Sequence, residues 1–534
     1  MQKDAKIAII GGGISGLSVA YKLTEDAGFD GQITIFEWSE TLGGNADTAM
    51  VHLGHDFRTN KPFERLADLG VNDINLDSYP RTSAAMRQIG YLPKAGEEET
   101  WSEEQKNLRT LEDTVCFFTK DGREIWTKDG VPEEASEAPE GLENLGVVDM
   151  RFSLDNPTHK DLKAAETHFM DRAAIDFADG NEGAEYWEYT TLEYVEYFRS
   201  RNLMKSELLD EVVRLFLLPR IAAMYFADEW AGPGGMPFRG VMSYYRLQEG
   251  YGKPNPTPDR RYFKYGSQHW INALASYLET EKGVKIVRNF KAKVIGDGNG
   301  GVLVYSAAEA YDGMSNPERF DQVVMAGHAD HQLESFAPGT DPLLTDEMAT
   351  NLASIDYSTS ISVAHTYSGV LPPNTGSWRT YNVMIRTDDR IGPVPYQMTY
   401  VQNRHRNDRM ESAFNEFGLP VYFVSLNPEV HIPAKYILDV TNEDRARRIK
   451  ERPGYSNELS ADYDRAGKAI GYFRHTVMTE KLLQIQKKLE EFQGMAEGRV
   501  FFVGCWAIGA GLHEECFMQA ERVKKAMSSS GTVL

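Results

Sequence analysis

Cysteine is scarce in this sequence. Its 534 residues include three cysteines, Cys116, Cys505 and Cys516, with no C-x-x-C pair and no Cys/His ligand spacing. A small, odd number of cysteines is typical of a reducing compartment and gives no basis for a disulfide framework. The missing ligand spacing argues against a structural zinc ion, so we expect no metal site.

Basic residues are also few relative to acidic ones. Lys and Arg number 57 against 79 Asp and Glu, which gives a formal net charge of −22. A chain with this excess of negative charge is generally repelled by phosphate backbones and by anionic membrane surfaces. We therefore expect no nucleic-acid partner.

Long apolar runs are absent as well. No uninterrupted apolar stretch reaches the roughly 18 residues that suggest a membrane-spanning helix. The first residues, MQKDAKIAII, enter a strand pattern without the apolar core of a signal peptide. We expect a soluble, cytoplasmic protein without a transmembrane segment, and peripheral contact with a membrane stays open. A chain of this length exceeds one compact core, so two or more domains are predicted.

A glycine-rich unit near the N-terminus carries the clearest functional signal. The apolar run Ile7–Ile10 predicts a buried strand, and a helical pattern begins at Ile14. Between and just beyond them lie Gly11, Gly13 and Gly16, with G-x-G-x-x-G spacing. The first glycine allows a tight turn, the second lets a pyrophosphate approach the backbone, and the third lets helix and strand pack closely. The N-terminus of the helix then offers its N–H groups to phosphates, which predicts a dinucleotide site.

Two features after this helix narrow the choice of dinucleotide. The second strand, Ile33–Phe36, ends in Glu37, about 20 residues past the last glycine, where a carboxylate can accept hydrogen bonds from a ribose. This acid disfavours the 2′-phosphate of NADP, which leaves NAD or FAD. The segment Leu42-Gly43-Gly44-Asn45 then predicts a second glycine turn over the pyrophosphate.

Residues 160–230 form the most helical part of the sequence. Thr190 and Glu193 fit a capping box, and a helix over Ser206–Leu218 is predicted to stop at Pro219, which cannot extend it. The apolar run Leu215–Phe226 is interpreted as buried core or, alternatively, as a wall of an apolar substrate tunnel.

Other stretches predict strands and loops. Phe320–Ala326 is typical of one buried strand, and the runs Ser360–His365, Tyr396–Val401 and Val421–Leu426 suggest a sheet lying over the cofactor. The acidic, proline-rich stretch Pro132–Glu143 predicts an exposed loop.

The last segment repeats the strand–glycine–helix order. A strand beginning at Val500 and ending at Gly504 is followed by the turn Gly509-Ala510-Gly511. The helix after it has its apolar residues on one face, and its start can face a ligand. Gly504, Trp506, the glycine turn and His513-Glu514 together resemble the C-terminal flavin motif of bacterial proteins known as predicted NAD/FAD-binding proteins, within the flavin amine oxidase and phytoene desaturase superfamily.

The resemblance covers most of the chain apart from residues near 95–180. The other matching motifs, in order, are Gly11–Gly16 with Glu37, Gly43-Gly44, Met236-Pro237, Gly266-Ser267, Val323-Val324-x-Ala326-x-His328-x-Asp330, His365-Thr366, Trp378-x-x-Tyr381-Asn382 and Leu426-Asn427-Pro428. The chain departs from the usual pattern at Asn45, where many relatives have Arg, at Tyr265, where they usually have Gly, and at Gln519-Ala520, where they usually have Ser-Gly.

The resemblance implies an α/β fold with FAD as the cofactor. A Rossmann-like FAD-binding domain would be discontinuous in sequence, formed by residues 1–75, 255–335 and 490–534. Residues 76–254 and 336–489 would form an inserted α+β substrate-binding domain, with its helical part at 160–230. The implied cofactor-binding residues are Gly11, Gly13, Ile14, Ser15, Gly16, Glu37, Gly43, Gly44, Asn45, Val294, Gly504, Trp506, Gly511, Leu512, His513 and Glu514. In this scheme Val294 meets the adenine through its backbone, and the stretch from Gly504 to Glu514 runs beside the isoalloxazine and ribityl chain.

The first functional hypothesis is an FAD-dependent oxidoreductase that desaturates or oxidises an apolar small molecule, including a fatty-acyl chain. The flavin would supply the redox chemistry and the protein the binding and orientation. The alternatives are a flavin amine or amino acid oxidase, a flavin-dependent double-bond isomerase, and a flavin-binding partner protein without turnover. No catalytic residue is assigned, because His365, His513 and Tyr225, which could move protons, are more often structural. The electron acceptor, the oligomeric state and a covalent link from Cys505 or Cys516 to the flavin stay open.

Overall fold

The structure is a computed structural model that describes most of the chain. It describes residues 3–55, 59–112, 114–119, 124–127, 159–225, 232–248, 259–308, 317–339, 341–385, 397–408, 410–411, 414–415, 419–428, 430–441 and 467–530. The acidic stretch Pro132–Glu143, predicted as a loop, lies outside the described residues.

The described elements alternate between strands and helices along the chain. The strands are β1 (Lys6–Ile10), β2 (Gln32–Phe36), β3 (Thr48–His55), β4 (Pro62–Asp68), β5 (Asp73–Asn75), β6 (Leu108–Thr110), β7 (Val115–Thr119), β8 (Glu124–Thr127), β9 (Arg260–Phe263), β10 (Lys285–Val287), β11 (Ala292–Gly296), β12 (Val302–Ser306), β13 (Glu318–Phe320), β14 (Gln322–Met325), β15 (Tyr357–His365), β16 (Tyr381–Ile385), β17 (Gln397–Val401), β18 (Met410–Glu411), β19 (Phe414–Asn415), β20 (Phe423–Leu426), β21 (Asp439–Val440), β22 (Ile470–Thr476) and β23 (Val500–Phe502). The helices are α1 (Ile14–Thr24), α2 (Pro80–Gln88), α3 (His159–Asp176), α4 (Thr191–Ser200), α5 (Ser206–Val212), α6 (Leu218–Tyr225), α7 (Phe238–Gln248), α8 (Ser267–Thr280), α9 (Ala329–Ser335), α10 (Asp346–Ala353), α11 (Gln402–His405), α12 (Glu480–Phe492) and α13 (His513–Ser530).

A parallel sheet gathers strands from three distant parts of the chain. Its order is β10-β2-β1-β14-β23, and every neighbouring pair is parallel. The central strands are buried, and α1 packs against both α8 and α13 beside them. Because all five strands run in the same direction, the segments after β1, β2, β14 and β23 emerge at one edge of the sheet. Ligands of open α/β sheets bind at this edge.

The strand predicted over Phe320–Ala326 is two strands in the structure. Glu318–Phe320 pairs antiparallel with β12, whereas Gln322–Met325 lies in the parallel sheet between β1 and β23. The chain changes sheet at Asp321, whose carboxylate accepts a hydrogen bond from the backbone N–H of Lys6. An apolar run does not reveal such a change, because Phe320 before it and Val323 after it are both fully buried.

A second, seven-stranded sheet has the order β22-β15-β20-β17-β16-β7-β8. Its pairs are antiparallel except for β16 with β7. It contains the three strands predicted in residues 360–426, so the expected sheet is confirmed. Its β22 edge brings residues 470–476 towards the crevice of the parallel sheet.

The helical region contains the predicted capping box but differs at Pro219. Thr190 accepts from the N–H of Glu193, and the Glu193 carboxylate accepts from the N–H of Thr190. The helix over Ser206–Leu218 was expected to stop at Pro219, and this is wrong: a π-helical turn, Val213–Leu217, leads directly into α6. Proline is tolerated because it is the second residue of α6, within the first turn.

The apolar run before Phe226 forms core. The side chains of Leu215, Phe216, Leu217, Leu218 and Ile221 are at most 5% exposed. They pack in one cluster with residues of α3, α4 and α7. Within the described part of the chain, no helix is both long enough and apolar enough to cross a membrane.

Candidate cofactor-binding site

The β1–α1 turn has the geometry of a dinucleotide-binding turn. Gly11 has φ +121°, and a Cβ there would lie 2.8 Å from the carbonyl oxygen of Ala326 in β14's following loop. A Cβ on Gly16 would lie 2.1 Å from the carbonyl oxygen of Gly11, so this glycine lets α1 pack on the turn. At Gly13, in contrast, the nearest atom to a Cβ is 4.0 Å away, in Gly44. The first and third glycines are required by packing, and the middle one faces open space.

The second glycine turn lies directly against the first. The N–H of Gly43 donates to the carbonyl of Gly12 at 3.0 Å, and Gly43 also bridges Gly13. Gly43 and Gly44 have φ of +114° and +60°, a region that favours glycine. The two turns therefore lie side by side, and both of them line one cavity together with Asn45.

Glu37 is fixed at one end of this cavity. Its Oε2 accepts from the N–H of Gly12 at 2.7 Å, and its Oε1 accepts from the N–H of Ser39 at 2.9 Å. The side chain is 8% exposed and lines the cavity beside Trp38. The predicted acid therefore stands at the carboxyl end of β2, on the wall of the same cavity as the glycine turns.

The C-terminal unit reaches the same cavity from the other end of the chain. Gly511 and His513 line it, and α13, which begins at His513, packs against α1. The hydroxyl of Ser15 and the thiol of Cys516 lie 3.2 Å apart, which connects the first turns of the two helices. Two helix N-termini thus converge on one crevice, although about 500 residues separate them.

The start of α1 suits an anion. No side chain caps it, and no acidic residue lies in its first turn. The first N–H groups of a helix lack partners within the helix and carry the positive end of its dipole. The open space at Gly13 and these N–H groups together fit a phosphate group, and the same two features would accommodate a pyrophosphate.

The comparisons with known proteins agree with this geometry. Residues 9–89 match a family described as an NAD(P)-binding Rossmann-like domain. The structure resembles a CLA-producing fatty acid isomerase from P. acnes, with 15% identity over 98% of this chain and 99% of that one and a TM-score of 0.56. It also resembles a putrescine oxidase bound to putrescine, with 11% identity over 99% of both chains and a TM-score of 0.53. No curated protein matches the sequence significantly.

The expected α/β fold with a Rossmann-like domain is thus confirmed. Of the predicted binding residues, ten line the cavity: Gly11, Gly13, Ile14, Ser15, Glu37, Gly43, Gly44, Asn45, Gly511 and His513. The other six do not line it: Gly16, Val294, Gly504, Trp506, Leu512 and Glu514.

Val294 lies too far along its strand to line the cavity. Its side chain is buried, its carbonyl accepts from the N–H of Ala337 at 2.9 Å, and it forms a bridge with Phe336. Ala292, two residues earlier, lines the cavity together with Phe290 and Lys291. The start of β11 therefore reaches the cavity two residues before Val294, and the contact of Val294 with an adenine stays a prediction.

Glu514 holds a neighbouring helix instead of facing the cavity. Its carboxylate accepts from the N–H groups of Arg81 and Thr82 and from the hydroxyl of Thr82, all at 3.0–3.1 Å. These groups begin α2, so this 1% exposed side chain caps that helix. Sequence spacing could not show this, because α2 is more than 400 residues away in the chain.

Three further predicted residues contact other parts of the protein and not the cavity: Gly504, Trp506 and Leu512. Gln519 donates to the carbonyl of Gly504 and accepts from its N–H, both at 3.0 Å. These two hydrogen bonds explain why Gln519 stands where relatives usually have Ser. The longer polar side chain reaches both backbone groups of Gly504, just after the end of β23. Trp506 is buried in the core, and the N–H of Leu512 donates to Glu515 at 2.8 Å.

Two of the three candidate proton-transfer groups lie outside the cavity lining. The Nδ1 of His365 accepts from the N–H of Tyr367 at 3.1 Å, its Nε2 lies 2.8 Å from the hydroxyl of Ser425, and burial lowers its pKa to about 3. Tyr225 donates to the carbonyl of Gly240 at 2.8 Å. His513 does line the cavity, and burial lowers its pKa to about 4, so it is neutral at pH 7.

The segment after β14, which includes the start of α9, contributes side chains to which no role was assigned. His328 and His331 line the cavity, and their rings stack at 5.4 Å. Burial lowers the pKa of His328 to about 3, with a smaller contribution from His331. His328 belongs to the sequence motif that ends at Asp330, and His331 directly follows it. The motif could be recognised in the sequence, but its residue types and spacing did not indicate that these side chains line the cavity. Arg474 and Cys505 also line the cavity.

Proposed function

We propose that the protein is an FAD-dependent oxidoreductase that acts on an apolar substrate, such as a fatty-acyl chain. The observation that carries the cofactor assignment is the single cavity lined by Gly13 of the first unit, Gly44 of the second turn and Gly511 of the last. An NAD-dependent dehydrogenase needs the first unit alone, whereas the C-terminal turn and the start of α13 extend the cavity beyond it.

Within this proposal the protein binds and orients the cofactor. The N-terminus of α1 and the two glycine turns hold the pyrophosphate, and Glu37 accepts from the ribose hydroxyls. Gly511 and His513 would help to hold the flavin part of the cofactor. When bound, FAD would supply two-electron redox chemistry. We assign the predicted ranges 1–75, 255–335 and 490–534 to the cofactor domain and the remainder to the substrate domain.

The substrate class rests on different support. The fold is shared with a protein whose substrate is a fatty acid and with one bound to putrescine, so the fold alone does not choose. The described residues of the run 215–225 do not line the cavity, and they therefore give no support to an apolar tunnel wall. The apolar substrate is favoured by the lining near His513. Among the described lining residues the two carboxylates, Glu37 and Glu334, lie at the Glu37 end of the cavity, so the lining near His513 offers none to an ammonium group.

A double-bond isomerase is the second candidate, favoured by the likeness to the fatty acid isomerase. One experiment separates the possibilities. The purified protein, loaded with FAD, is incubated with unsaturated fatty acids or with di- and polyamines, and flavin absorbance and product mass are recorded. Bleaching and a product lighter by two hydrogens support the oxidoreductase. A product of unchanged mass supports the isomerase, and bleaching by amines alone overturns the apolar substrate.

A protein that takes up FAD but turns over no donor would support the remaining alternative, a flavin-binding partner. This result would leave the cofactor assignment intact and overturn the enzymatic part of the proposal. A protein that takes up no FAD would overturn both.

A further inference from the structure

The position after the second glycine turn lacks a cationic side chain. Asn45 stands where many proteins with similar glycine motifs have Arg. The backbone of a different arginine lies beside Asn45: the side-chain amide of Asn45 donates to the carbonyl of Arg474 at 3.4 Å. Asn45 and Arg474 both line the cavity, although 429 positions separate them in the chain.

Arg474 is held in position before any ligand binds. Its Nη1 donates to Oδ2 of Asp330 at 2.7 Å, and its guanidinium carbon lies 4.6 Å from the centre of the Tyr357 ring. The hydroxyl of Tyr357 accepts from the N–H of Ala329 at 2.7 Å, which fixes the ring. The Arg474 side chain is 28% exposed, so the guanidinium remains accessible. Five donors on a planar fork leave several for a second acceptor after one bond to Asp330.

Positive charge is otherwise sparse along this wall. Among the described lining residues, Lys291 and Arg474 are the two with Lys or Arg side chains. Lys291 stands 5.9 Å from the ring centre of Trp38 and pairs with Glu334 at 3.7 Å, so it belongs to the Glu37 end. Arg474 is therefore the other lysine or arginine of the described lining, and its backbone carbonyl contacts Asn45, directly after the second glycine turn. Without Arg474, backbone N–H groups alone would have to balance the two negative charges of a pyrophosphate.

The neighbouring acid and histidines could instead suggest a metal ion. His328, Asp330 and His331 could each offer one ligand atom within 4.8 Å of the others. However, Asp330 already accepts from Arg474 at 2.7 Å, and a fixed guanidinium at that distance opposes a second cation. Asp330 orients the arginine, and the site as a whole suits an anion.

We propose that Arg474 binds a phosphate of the FAD pyrophosphate and takes, from the strand β22 of the second sheet, the place that an arginine at position 45 has in related motifs. The inference rests on the proposed function, because it needs FAD in the cavity. The cofactor site would then be complete only when β22, which carries Arg474, packs against the start of α9, which carries Asp330.

The test measures flavin affinity of the apoprotein and needs no turnover. Dissociation constants for FAD and for riboflavin, which has no phosphate, are measured by flavin fluorescence for wild type, Arg474→Ala and Arg474→Lys. Arg474→Ala should weaken FAD about tenfold to a hundredfold and leave riboflavin unchanged, because a hydrogen bond to a charged group is lost. The FAD dissociation constant of Arg474→Lys should lie between those of wild type and Arg474→Ala, since lysine keeps the positive charge and lacks the planar guanidinium.

Two further variants make the test specific. Asn45→Arg in the Arg474→Ala background should recover most of the FAD affinity, because the charge returns from the residue that lies against the backbone of residue 474 in the same cavity. Arg319→Ala removes an arginine that is paired with Asp297 and is not in the cavity lining, and should leave FAD affinity unchanged. The FAD affinity of wild type should also fall with added salt more steeply than that of Arg474→Ala.

The outcomes separate the two claims. Equal FAD affinity in wild type and Arg474→Ala, or an equal loss for FAD and riboflavin, would overturn the role of Arg474 and leave the flavoprotein intact. A wild-type apoprotein that binds no FAD would overturn the proposed function and this inference with it. Thermal unfolding of each apoprotein checks folding, and a folded Arg474→Lys variant decides the question if Arg474→Ala unfolds.

Discussion

Replacing Gly13 with alanine should weaken FAD binding without changing the stability of the apoprotein. Gly13 has φ −74° and ψ 177°, which alanine adopts without strain. An added Cβ would meet no atom nearer than 4.0 Å in the protein, so the fold accommodates it. The same methyl group projects into the space between the two glycine turns, where we place the pyrophosphate.

The expected magnitudes follow from this geometry. Alanine is a poorer N-cap than glycine by roughly 0.5–1 kcal/mol. Removing a glycine from the unfolded chain returns about 0.4–1 kcal/mol, so the free energy of unfolding should change by less than about 0.5 kcal/mol. A phosphate displaced by the methyl group loses at least one hydrogen bond to a charged acceptor, about 1.5–3 kcal/mol, which corresponds to roughly tenfold to hundredfold weaker binding.

Gly16→Ala is the matched control for this variant. Its Cβ would lie 2.1 Å from the carbonyl oxygen of Gly11, so α1 must move and the apoprotein should lose about 1–3 kcal/mol of stability. Urea unfolding of the apoproteins and titration with FAD measure both quantities. Wild-type FAD affinity in a stable Gly13→Ala protein would refute the position of the pyrophosphate.

Three other substitutions test single elements. Glu514→Ala should lower the unfolding free energy by about 2–4 kcal/mol in urea, because the buried donors at the start of α2 lose their acceptor, while FAD affinity stays within about twofold of wild type. Burial raises the pKa of Glu515 to about 7, above its ordinary value of 4.5, so wild type should lose stability as the pH rises from about 4.5 to 7, and Glu515→Gln should gain relative to wild type by about 3 kcal/mol over that range. A pH-independent difference would contradict this. Thr190→Ala should destabilise the protein by about 1 kcal/mol and Thr190→Ser should not, because the capping box is lost only in the first.

Features that depend on neighbouring residues in the chain could be predicted from sequence. The turn Gly11–Gly16, the acid at the end of β2 and the capping box at Thr190 each follow from residues within about 30 positions of one another. The start of α13 was predictable for the same reason. Their side chains are constrained mainly by local backbone geometry, which residue type and spacing report.

Features that depend on contacts between distant segments could not be predicted. Spacing does not show that Glu514 meets α2 or that Arg474 arrives beside Asn45, because several hundred residues separate each pair. Pro219 failed as a stop signal because the π-helical turn before it places the proline in the first turn of a new helix. Sequence also does not show that Ala292, and not Val294, lines the cavity, since a strand pattern fixes alternation and not where the strand meets a cavity.

The most direct test of the account is the identity and amount of flavin bound to the protein. The purified protein, supplied with FAD and freed of unbound ligand, is denatured, and the released flavin is identified by mass and quantified against the chain. We predict one FAD for each chain, because both ends of the polypeptide line one cavity. A colourless protein that retains no flavin after reconstitution would contradict the central claim.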